Sequence, residues 1–402
     1  MKVLYVHHSR SSNNEQIYLS SIHREANLAL YGAQEMDTWA GIRLLSEFGE
    51  VERYEICPNQ GFAKHINSKG ITHSKIHFSL SASTKFKINS LYLRNLLQNN
   101  FDPSVAQWQE LQLINHFQSI ANDSAYDYIW VDTQFYEPLI SAVQKSIIVR
   151  SVNFEPRHVL GEDESISRYL KVIPKLLTER KVSKKRTFIS ISPRDQKSYS
   201  RLGIRSHLIP LRQLGYCNES LLTGISSPDT VFFTGSTYDV LHNRKNLYFI
   251  LEELAPILLK SYPDIKIAIT GNRLPANVRL PKNVQYLGFL PDLQERLIGA
   301  LAVLVPYFGG AGMQSKVFEA LTIGSKVIAN PNVMAGYPFL PERDFVPAIT
   351  AQQFLEAIKR LRIEKEYGQM LAFNGKHLAN ELFSHNKVQS QIGFILNNIK
   401  ES

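Results

Sequence analysis

The sequence predicts an α/β protein made of two Rossmann-like domains. Short apolar runs of strand length alternate with helical patterns, and the alternation pauses near residues 216–229 before it starts again. Polar residues and glycines follow directly after several of the apolar runs. Strands that alternate with helices favour a parallel sheet covered on both faces. A length of 402 residues, of which 44% are hydrophobic and 20% charged, suits two domains of ordinary size.

The first half contains five apolar runs that we interpret as strands. The predicted strands cover residues 2–6, 51–56, 128–132, 147–150 and 187–190. The predicted helices cover residues 15–31, 38–47, 89–99, 104–121, 135–143 and 167–182. Residues 57–103 form the least regular part of this half, with a loop expected before the helix at 89–99.

The second half repeats the same alternation. The predicted strands cover residues 231–235, 265–270, 284–289, 301–305, 326–329 and 345–346. The predicted helices cover residues 246–259, 292–298, 351–362, 366–382 and 386–399, with a further one that ends near Gly324. We therefore expect an N-terminal domain at 1–218, a C-terminal domain at 219–385, and a helix at 386–402 that packs back towards the N-terminal domain.

The net charge of +9 is unevenly distributed. No acidic residue lies between Glu55 and Asp102, and a second basic cluster runs from Lys171 to Arg186, opposed only by Glu179. Such patches suit an anionic partner, which could be phosphoryl groups, an acidic lipid surface or nucleic acid. No zinc-finger spacing or ribonucleoprotein motif supports nucleic acid. Solubility and local salt bridges are the alternative explanation for both patches.

Other composition features bear on location and metals. The two cysteines, Cys57 and Cys217, have no ligand spacing around them, so neither a disulfide framework nor a zinc site is expected. No apolar run is long enough to span a bilayer, and the first residues lack a secretory signal. These features predict a cytoplasmic protein, with a peripheral contact at the inner membrane face through residues 57–101 as a further expectation.

A glycine-rich segment after the apolar run at 301–305 is the main candidate site. Glycines at 309, 310 and 312 precede a helix that carries Lys316 and Glu319 three residues apart. Glycine lets backbone N–H groups approach a ligand, and a helix start favours an anion. A nucleoside diphosphate would use both the cation and the carboxylate. A solvated Lys–Glu pair on a surface helix is the alternative.

A second candidate corner follows the strand at 231–235. Asn243 is a reasonable helix N-cap, which would put Arg244 and Lys245 in the first turn, where the helix dipole disfavours cations. Lys316 has the same unfavourable position, so we expect a shared anion; two exposed cations at a frayed helix end are the alternative. Between these corners, Phe289 could stack on a nucleobase, or its segment could be only a strand-to-helix turn.

The ordered motifs of the second half resemble the C-terminal domain of GT-B glycosyltransferases, in particular the retaining, nucleotide-sugar-dependent glycosyl transferases group 1. They are Asn-Arg-Lys-Asn at 243–246, Thr-Gly-Asn at 270–272, Leu-Gly-Phe-Leu-Pro-Asp-Leu at 287–293, Val-Pro at 305–306, Gly-Gly-x-Gly at 309–312, Lys-x-x-Glu-Ala-Leu at 316–321 and Gly-x-x-Val-Ile-Ala at 324–329. In the first half, residues 150–155 resemble the family's Arg-x-His-Asn-x-Glu segment, and residues 192–195 its Ser-x-x-Asp segment.

The resemblance implies a GT-B fold, in which the two domains face each other across a cleft, and it implies donor-binding residues. Arg244 and Lys245, or Lys316 with one of them, would hold the diphosphate, and Glu319 would bind the ribose hydroxyls. The predicted donor-binding residues are Gly235, Arg244, Lys245, Gly271, Phe289, Leu290, Gly309, Gly310, Ala311, Gly312, Met313, Gln314, Ser315, Lys316 and Glu319. We predict no cofactor and no metal, because no Asp-x-Asp lies between short strands.

The chain departs from the family pattern at three places. Ala311 stands where many members have a glutamate, Val152 replaces the histidine of the N-terminal segment, and His7 and His8 stand where a glycine pair often follows the first strand. The candidate catalytic residues are His7, His8, Asn153 and Glu155, each of which could instead be structural. A retaining enzyme needs little acid–base help, because positioning and charge stabilisation supply most of the rate.

These observations predict a glycosyltransferase that moves a sugar from a nucleotide-sugar donor to a glycan or lipid-linked glycan in polysaccharide or glycoconjugate biosynthesis. A nucleotide-sugar epimerase of the same architecture is one alternative, although it would need several carboxylates in the cleft. A non-catalytic paralogue that binds a glycan or a partner is the other. The sequence does not predict the base, the sugar, the acceptor, the linkage or the oligomeric state.

Overall fold

The computed structural model describes residues 1–8, 33–57, 75–79, 85–98, 100–183, 186–210, 225–288, 290, 293–310 and 312–400. The chain divides into two units, Met1–Leu211 with Gln389–Ser402, and Arg212–Val388. The helix expected at 15–31, and the predicted donor residues Phe289 and Ala311, lie outside the described residues. Each unit is built on its own parallel sheet.

The first unit alternates strands with helices. Its strands are β1 Lys2–His8, β2 Glu50–Cys57, β3 Lys75–Ser79, β4 Tyr128–Val131, β5 Ile147–Ser151, β6 Thr187–Ser190 and β7 Ser206–Leu208. Its helices are α1 Ala33–Ser46, α2 Lys85–Leu97, α3 Leu111–Ala121, α4 Glu137–Ile140, α5 Glu155–Glu162, α6 Arg168–Ser183 and α7 Pro193–Arg201. Short 3₁₀ helices precede α3 and α4, at Pro103–Gln109 and Gln134–Tyr136.

The second unit continues the alternation. Its strands are β8 Ser227–Thr237, β9 Lys266–Asn272, β10 Val284–Gly288, β11 Ala300–Val305, β12 Val327–Ala329 and β13 Val346–Pro347. Its helices are α8 Leu241–Tyr248, α9 Ala255–Ser261, α10 Leu293–Gly299, α11 Ser315–Thr322, α12 Ala351–Ile363 and α13 Lys365–Phe383, followed by α14 His385–Lys400. A π-helical segment, Phe249–Leu254, joins α8 to α9.

Both sheets have the doubly wound strand order. The first runs β3-β2-β1-β4-β5-β6-β7 and the second β10-β9-β8-β11-β12-β13, and the paired strands within both are parallel. The order reverses between β1 and β4 in the first sheet and between β8 and β11 in the second. Ligands of such sheets bind at the carboxyl ends of the strands beside this switch point. The predicted α/β class with two Rossmann-like domains is confirmed.

The second sheet is buried on both faces, which explains its uninterrupted apolar strands. Val231 and Phe233 of β8 belong to one apolar core and Phe232 between them to another. Successive strand residues point to opposite faces, so a covered sheet needs apolar residues at every position. Each such side chain contributes roughly 1.5–3 kcal/mol on full burial. The first sheet follows the same rule at β5, where all five residues are buried.

The structure corrects several predicted elements. The helix expected at 104–121 is interrupted at Glu110: a 3₁₀ segment capped by Asp102 comes first, and α3 begins at Leu111. Strand β3 and helices α5 and α7 were not predicted, because they are short and their polar residues hide the periodicity. The helical run expected at 246–259 begins earlier, at Leu241.

Helix α14 packs on the first unit. The Tyr128 hydroxyl donates to the Leu396 carbonyl at 2.9 Å, and the Gln389 amide donates to the Glu47 carboxylate at 2.8 Å. A Cβ on Gly393 would lie 3.2 Å from the Phe48 ring, so this face of α14 approaches the unit closely. Across the described residues, no helix combines the length and the apolar character needed to cross a membrane.

Candidate functional site

The loop after β11 requires its glycines. Gly309, Gly310 and Gly312 have φ values of 115°, 106° and 73°, all in the left-handed region that favours glycine. Helix α11 follows at Ser315, and its N-cap residue Gln314 provides no side-chain cap. No acidic residue lies in the first turn of α11, so the positive end of its dipole is not offset by its own side chains.

Lys316 extends from the first turn of α11 to the end of β8. Its Nζ donates to the Thr234 carbonyl at 3.0 Å, so the ammonium group lies at the switch point between β8 and β11. The residue is half-buried, as is Glu319 one turn further along α11. Both side chains are therefore partly shielded from solvent, and their contact with a nucleotide stays a prediction. The cation has a fixed position next to the glycine loop.

Packing explains the glycines that end β8 and β9. The Tyr238 hydroxyl donates to the Thr270 carbonyl at 2.6 Å, and a Cβ on Gly235 would overlap both groups. Gly271 has a φ of 119°, and its Cβ would lie only 2.9 Å from the Gly235 carbonyl carbon. The two strand ends thus touch through their backbones. Contact of either glycine with a donor stays a prediction.

Arg244 and Lys245 do not lie at the helix start that was predicted for them. Helix α8 begins at Leu241 with Val240 as its N-cap residue, so the expectation that Asn243 caps the helix is wrong. The Asn243 amide instead donates to the Thr237 carbonyl at 2.9 Å. Arg244 lies beyond the first three helical positions and donates to the Asp239 carbonyl at 3.2 Å. Their binding of a diphosphate stays a prediction, and Lys316 remains the cation at a helix start.

Helix α8 supports the glycine loop through Asn246 and His242, two residues for which no role was predicted. Asn246 is buried, and its Oδ1 accepts the Phe308 N–H at 3.1 Å. The His242 ring lies 3.5 Å from the position that a Cβ on Gly310 would take, and the Gln314 amide nitrogen lies 2.9 Å from it. Asn246 stands in the Asn-Arg-Lys-Asn motif, which is the only sequence signal that points to it.

The apolar donor residues that are described pack on the core of the second unit. Leu290 and Met313 are partly buried against the cluster that contains Phe318. The Tyr307 hydroxyl donates to the Gly310 carbonyl at 3.2 Å and so fixes the loop from its other side. These contacts fix the glycine loop and the apolar residues beside it. Direct contacts of Leu290 and Met313 with the donor stay predictions.

In the first unit, a buried ion pair lies at the carboxyl end of β4. The Arg150 Nε donates to the Asp132 carboxylate at 2.6 Å, and the guanidinium is fully buried. The same carboxylate accepts hydrogen bonds from the Tyr5 and Thr38 hydroxyls. Loss of one member of a buried pair costs roughly 3–5 kcal/mol. The pair joins β1, α1, β4 and β5 at the switch point of the first sheet.

Glu155 lies inside the first unit and not on a solvated loop. It begins α5 and is only 7% exposed. Burial raises the pKa of its carboxyl group to about 7, opposed by the Lys175 ammonium 3.8 Å away. The pKa of Glu155 is thus shifted towards neutrality, which suits a proton donor or acceptor. Its catalytic role stays a prediction.

Glu179 is buried, although it was predicted to lie within a basic surface cluster. It is fully buried and accepts hydrogen bonds from the Glu155 N–H at 3.1 Å, the Gln134 amide at 3.1 Å and the Tyr199 hydroxyl at 3.0 Å. Burial raises the pKa of Glu179 to about 8. The expectation that Glu179 opposes a basic surface cluster is wrong, because it supports the start of α5 from within.

The basic cluster itself is partly paired. Lys171 bonds the Asp163 carboxylate at 2.5 Å, Lys175 lies 3.3 Å from Asp102, and Lys181 lies 3.0 Å from Glu137. Local salt bridges, the alternative given above, therefore account for three of its cations.

The remaining acceptor-side candidates lie at the ends of β1 and β5. His7 is buried beside the Tyr5 ring, with ring centroids 6.1 Å apart, and His8 is the last residue of β1. The Asn153 carbonyl accepts bonds from Gln134, Ser151 and Tyr199, which fixes the backbone while the side chain is half-exposed. Within the described ranges, no group of three or more His, Cys, Asp or Glu side chains could hold a metal ion.

Comparison with known proteins agrees with this fold. Residues 228–364 match the family model for glycosyl transferases group 1. Sucrose-phosphate synthase from Thermosynechococcus elongatus superposes with a TM-score of 0.65 at 13% identity, covering 100% of this chain and 99% of that one. No curated protein sequence matches the chain significantly.

Two further structures are of ligand complexes. HepE of Anabaena, in complex with UDP and glucose, has a TM-score of 0.64 at 14% identity, with 99% and 100% of the two chains covered. A variant of TarM from S. aureus, in complex with fondaparinux, alpha-GlcNAc-glycerol and UDP, has a TM-score of 0.55 at 11% identity, with 73% and 59% covered. The second unit therefore carries a domain that matches the glycosyl transferases group 1 over residues 228–364, and the chain shares the GT-B fold of these glycosyltransferases.

Proposed function

We propose that the protein transfers a sugar from a nucleotide-sugar donor to a glycan or lipid-linked glycan, with retention of configuration, in polysaccharide or glycoconjugate biosynthesis. The observation that supports the donor site is the position of Lys316. Its ammonium group donates to the Thr234 carbonyl of β8 at 3.0 Å, and its helix follows a loop with three left-handed glycines. An anion bound there would accept hydrogen bonds from backbone N–H groups. The helix dipole and the fixed positive charge of Lys316 would stabilise it further.

In this proposal the second unit binds the donor through its diphosphate and ribose. Lys316 holds the diphosphate as a point charge, with Arg244 or Lys245 as a second cation, and Glu319 accepts hydrogen bonds from the ribose hydroxyls. UDP is the first nucleotide to test, because the HepE and TarM complexes both contain it. No metal or other cofactor is part of the proposal.

The proposed reaction breaks the bond between the sugar C1 and the diphosphate oxygen. The acceptor hydroxyl oxygen forms its bond to C1 on the same face, and its proton passes to the departing diphosphate. Lys316 stabilises the negative charge that develops on this leaving group, where a pre-oriented charge has its largest effect.

The acceptor belongs to the first unit in this proposal. His7 and His8 are the last two residues of β1, and Asn153 and Glu155 follow β5, at the edge where ligands of parallel sheets bind. In this proposal Asn153 and Glu155 orient the acceptor, while its proton passes to the departing diphosphate. We further propose a cytoplasmic protein with a peripheral contact at an anionic membrane. Residues 58–74 and 80–84 of the stretch expected to make this contact lie outside the described residues.

A thermal-shift panel of UDP, GDP, ADP, CMP and dTDP tests the donor site. A ligand present at a hundred times its dissociation constant stabilises the fold by about 2.7 kcal/mol. We expect one diphosphate to raise the melting temperature and the matching nucleotide sugar to be hydrolysed slowly by the purified protein. If none of the nucleotides stabilises the protein, the donor site is refuted.

The alternative of a non-catalytic paralogue rests on the replacements at Ala311 and Val152. A nucleotide-dependent shift without any donor hydrolysis or sugar transfer would favour it. Slow hydrolysis of one donor would favour the transferase, because an active site that polarises the donor bond also exposes it to water.

A further inference from the structure

A buried hydroxyl lies near the carboxyl end of strand β9 in the second unit. Thr270 is 3% exposed, and its Oγ1 has no hydrogen-bond partner among the described residues. Buried polar side chains are normally hydrogen-bonded, and one that lacks a partner costs stability. The fold does not use this hydroxyl for its own stability, so a partner outside the fold would explain it.

The alternation of side chains along β9 places Thr270 on the face of the sheet that α11 covers. Ala268, two residues earlier, belongs to the apolar cluster that contains Phe318 of α11. Residues two apart in a strand share one face of the sheet. Thr270 therefore lies on the same side as the helix that carries Lys316 and Glu319.

The strand on one side of β9 brings a cation to this end of the face. Thr270 pairs in register with Thr234 of β8, and paired residues of adjacent strands lie about 5 Å apart. The Lys316 Nζ donates to the Thr234 carbonyl at 3.0 Å. The hydroxyl and the ammonium group thus belong to adjacent strand ends at the switch point.

The strand on the other side of β9 brings apolar side chains to the same face. Leu287 in β10 and Leu290 after it pack against the cluster that contains Phe318, and both are half-buried. Met313, beyond the glycine loop, packs against this cluster in the same way. Thr270 therefore lies between a cation on the β8 side and half-buried apolar residues on the β10 side.

This order of groups suits the two halves of a nucleotide. A lysine ammonium binds phosphate as a point charge, whereas apolar walls with one or two placed polar groups are typical of pockets for organic rings. A threonine hydroxyl both donates and accepts, so it matches the carbonyl and N–H groups at the edge of a nucleobase. A buried hydroxyl also discriminates between ligands, because a base that leaves it without a partner binds less tightly.

We propose that the Thr270 hydroxyl binds the edge of the donor's nucleobase and thereby selects the base. The inference rests on the proposed function, since a nucleotide must bind to the second unit before its base can be selected. It adds a specificity-determining residue at a position for which the sequence predicted no contact.

Isothermal titration calorimetry with UDP, GDP, ADP and pyrophosphate tests this role. The variant Thr270→Val replaces the hydroxyl by a methyl group of similar size. We expect the dissociation constant of the tightest nucleotide to rise about tenfold, and those of the other two and of pyrophosphate to rise less than about threefold. Thr270→Ser keeps the hydroxyl and should bind the tightest nucleotide within about threefold of the wild type.

The stability without ligand separates a ligand-binding role from a structural one. Removal of a buried hydroxyl that has no partner should leave the urea midpoint of Thr270→Val unchanged or higher. The matched control is Ser325→Ala. The Ser325 Oγ is also buried without a partner in the described part of the chain, but it precedes β12, at the amino edge of the sheet. This variant should bind all four ligands as the wild type does.

The outcomes distinguish the alternatives. Unchanged nucleotide affinity in Thr270→Val overturns the inference and leaves the donor site intact. Equal weakening of the three nucleotides also overturns it, because the hydroxyl would then bind the ribose or, if pyrophosphate weakens as well, the diphosphate. A lower urea midpoint in Thr270→Val shows that the hydroxyl serves packing and overturns it too. If no nucleotide binds to the wild-type chain, the donor site itself is refuted, so the two failures are separable.

Discussion

Replacing Lys316 by methionine should weaken nucleotide binding while it leaves the fold intact. Methionine keeps the unbranched stem but removes the bond to the Thr234 carbonyl, which is worth about 1 kcal/mol. It also removes a cation from the first turn of α11, where the helix dipole opposes it by about 0.3–1 kcal/mol. Because these two effects oppose each other, the free energy of unfolding without ligand should change little.

The effect on the bound nucleotide has no such compensation. A hydrogen bond from an ammonium group to a diphosphate contributes about 1.5–3 kcal/mol, which corresponds to a 10- to 150-fold higher dissociation constant. Isothermal titration calorimetry with UDP, or with whichever diphosphate gives the thermal shift, measures this change. Urea denaturation of both proteins without ligand measures the stability in parallel.

Lys326→Met is the matched control. Lys326 is half-buried in the same unit but precedes β12, at the amino edge of the sheet and away from the switch point. Its replacement should leave the dissociation constant unchanged. The reasoning is refuted if Lys316→Met binds the nucleotide within about threefold of the wild type, or if Lys326→Met weakens binding equally.

Three further predictions follow from the same contacts. Glu319→Gln should raise the dissociation constant of UDP by roughly tenfold but leave pyrophosphate no weaker in calorimetry, because only the ribose hydroxyls are lost; equal weakening of both ligands would contradict its role. Gly235→Ala should lower the unfolding free energy by about 1–3 kcal/mol in urea, since its Cβ would overlap the Tyr238 hydroxyl; an unchanged midpoint would contradict the packing. Burial raises the pKa of Glu179 from 4.5 to about 8, so the folded state retains a proton that the unfolded state releases, and stability should fall as pH rises across that interval. Urea titrations at several pH values measure how the unfolding free energy depends on pH. Glu179→Gln should make this dependence less steep by at most about 1.4 kcal/mol per pH unit. An unchanged dependence would show that Glu179 is ionised in the folded protein.

The elements that depend on local sequence patterns could be predicted from the sequence. The run Ala300–Val305 is apolar at every position because both faces of its sheet are covered, and its interpretation as a buried strand is confirmed. Helix α12 carries a capping box between Thr350 and Gln353, and its predicted bounds differ from the observed ones by one residue. The glycines after β11 were expected to let backbone N–H groups approach a ligand, and their left-handed φ values are a feature that the structure adds.

Contacts between residues far apart in sequence could not be predicted in the same way. Glu179 lies in a basic run and looks solvated, yet its partners Gln134 and Tyr199 are 45 and 20 residues away. The Asn243 amide donates to a strand carbonyl and does not cap a helix. No local sequence pattern indicates this contact. The bond from Lys316 to Thr234 spans 82 residues, so the sequence could place the cation at a helix start but not at the end of β8.

The contact between α14 and the first unit has a consequence for how the protein folds during its synthesis. Tyr128 in β4 receives its partner carbonyl from Leu396, so the first unit is discontinuous and includes residues after 388. The second unit is one contiguous segment that is complete at Val388, in the first turn of α14 and before Leu396 is translated. Domains usually fold in the order in which they leave the ribosome. Here the unit that is translated first is the last to acquire all of its residues.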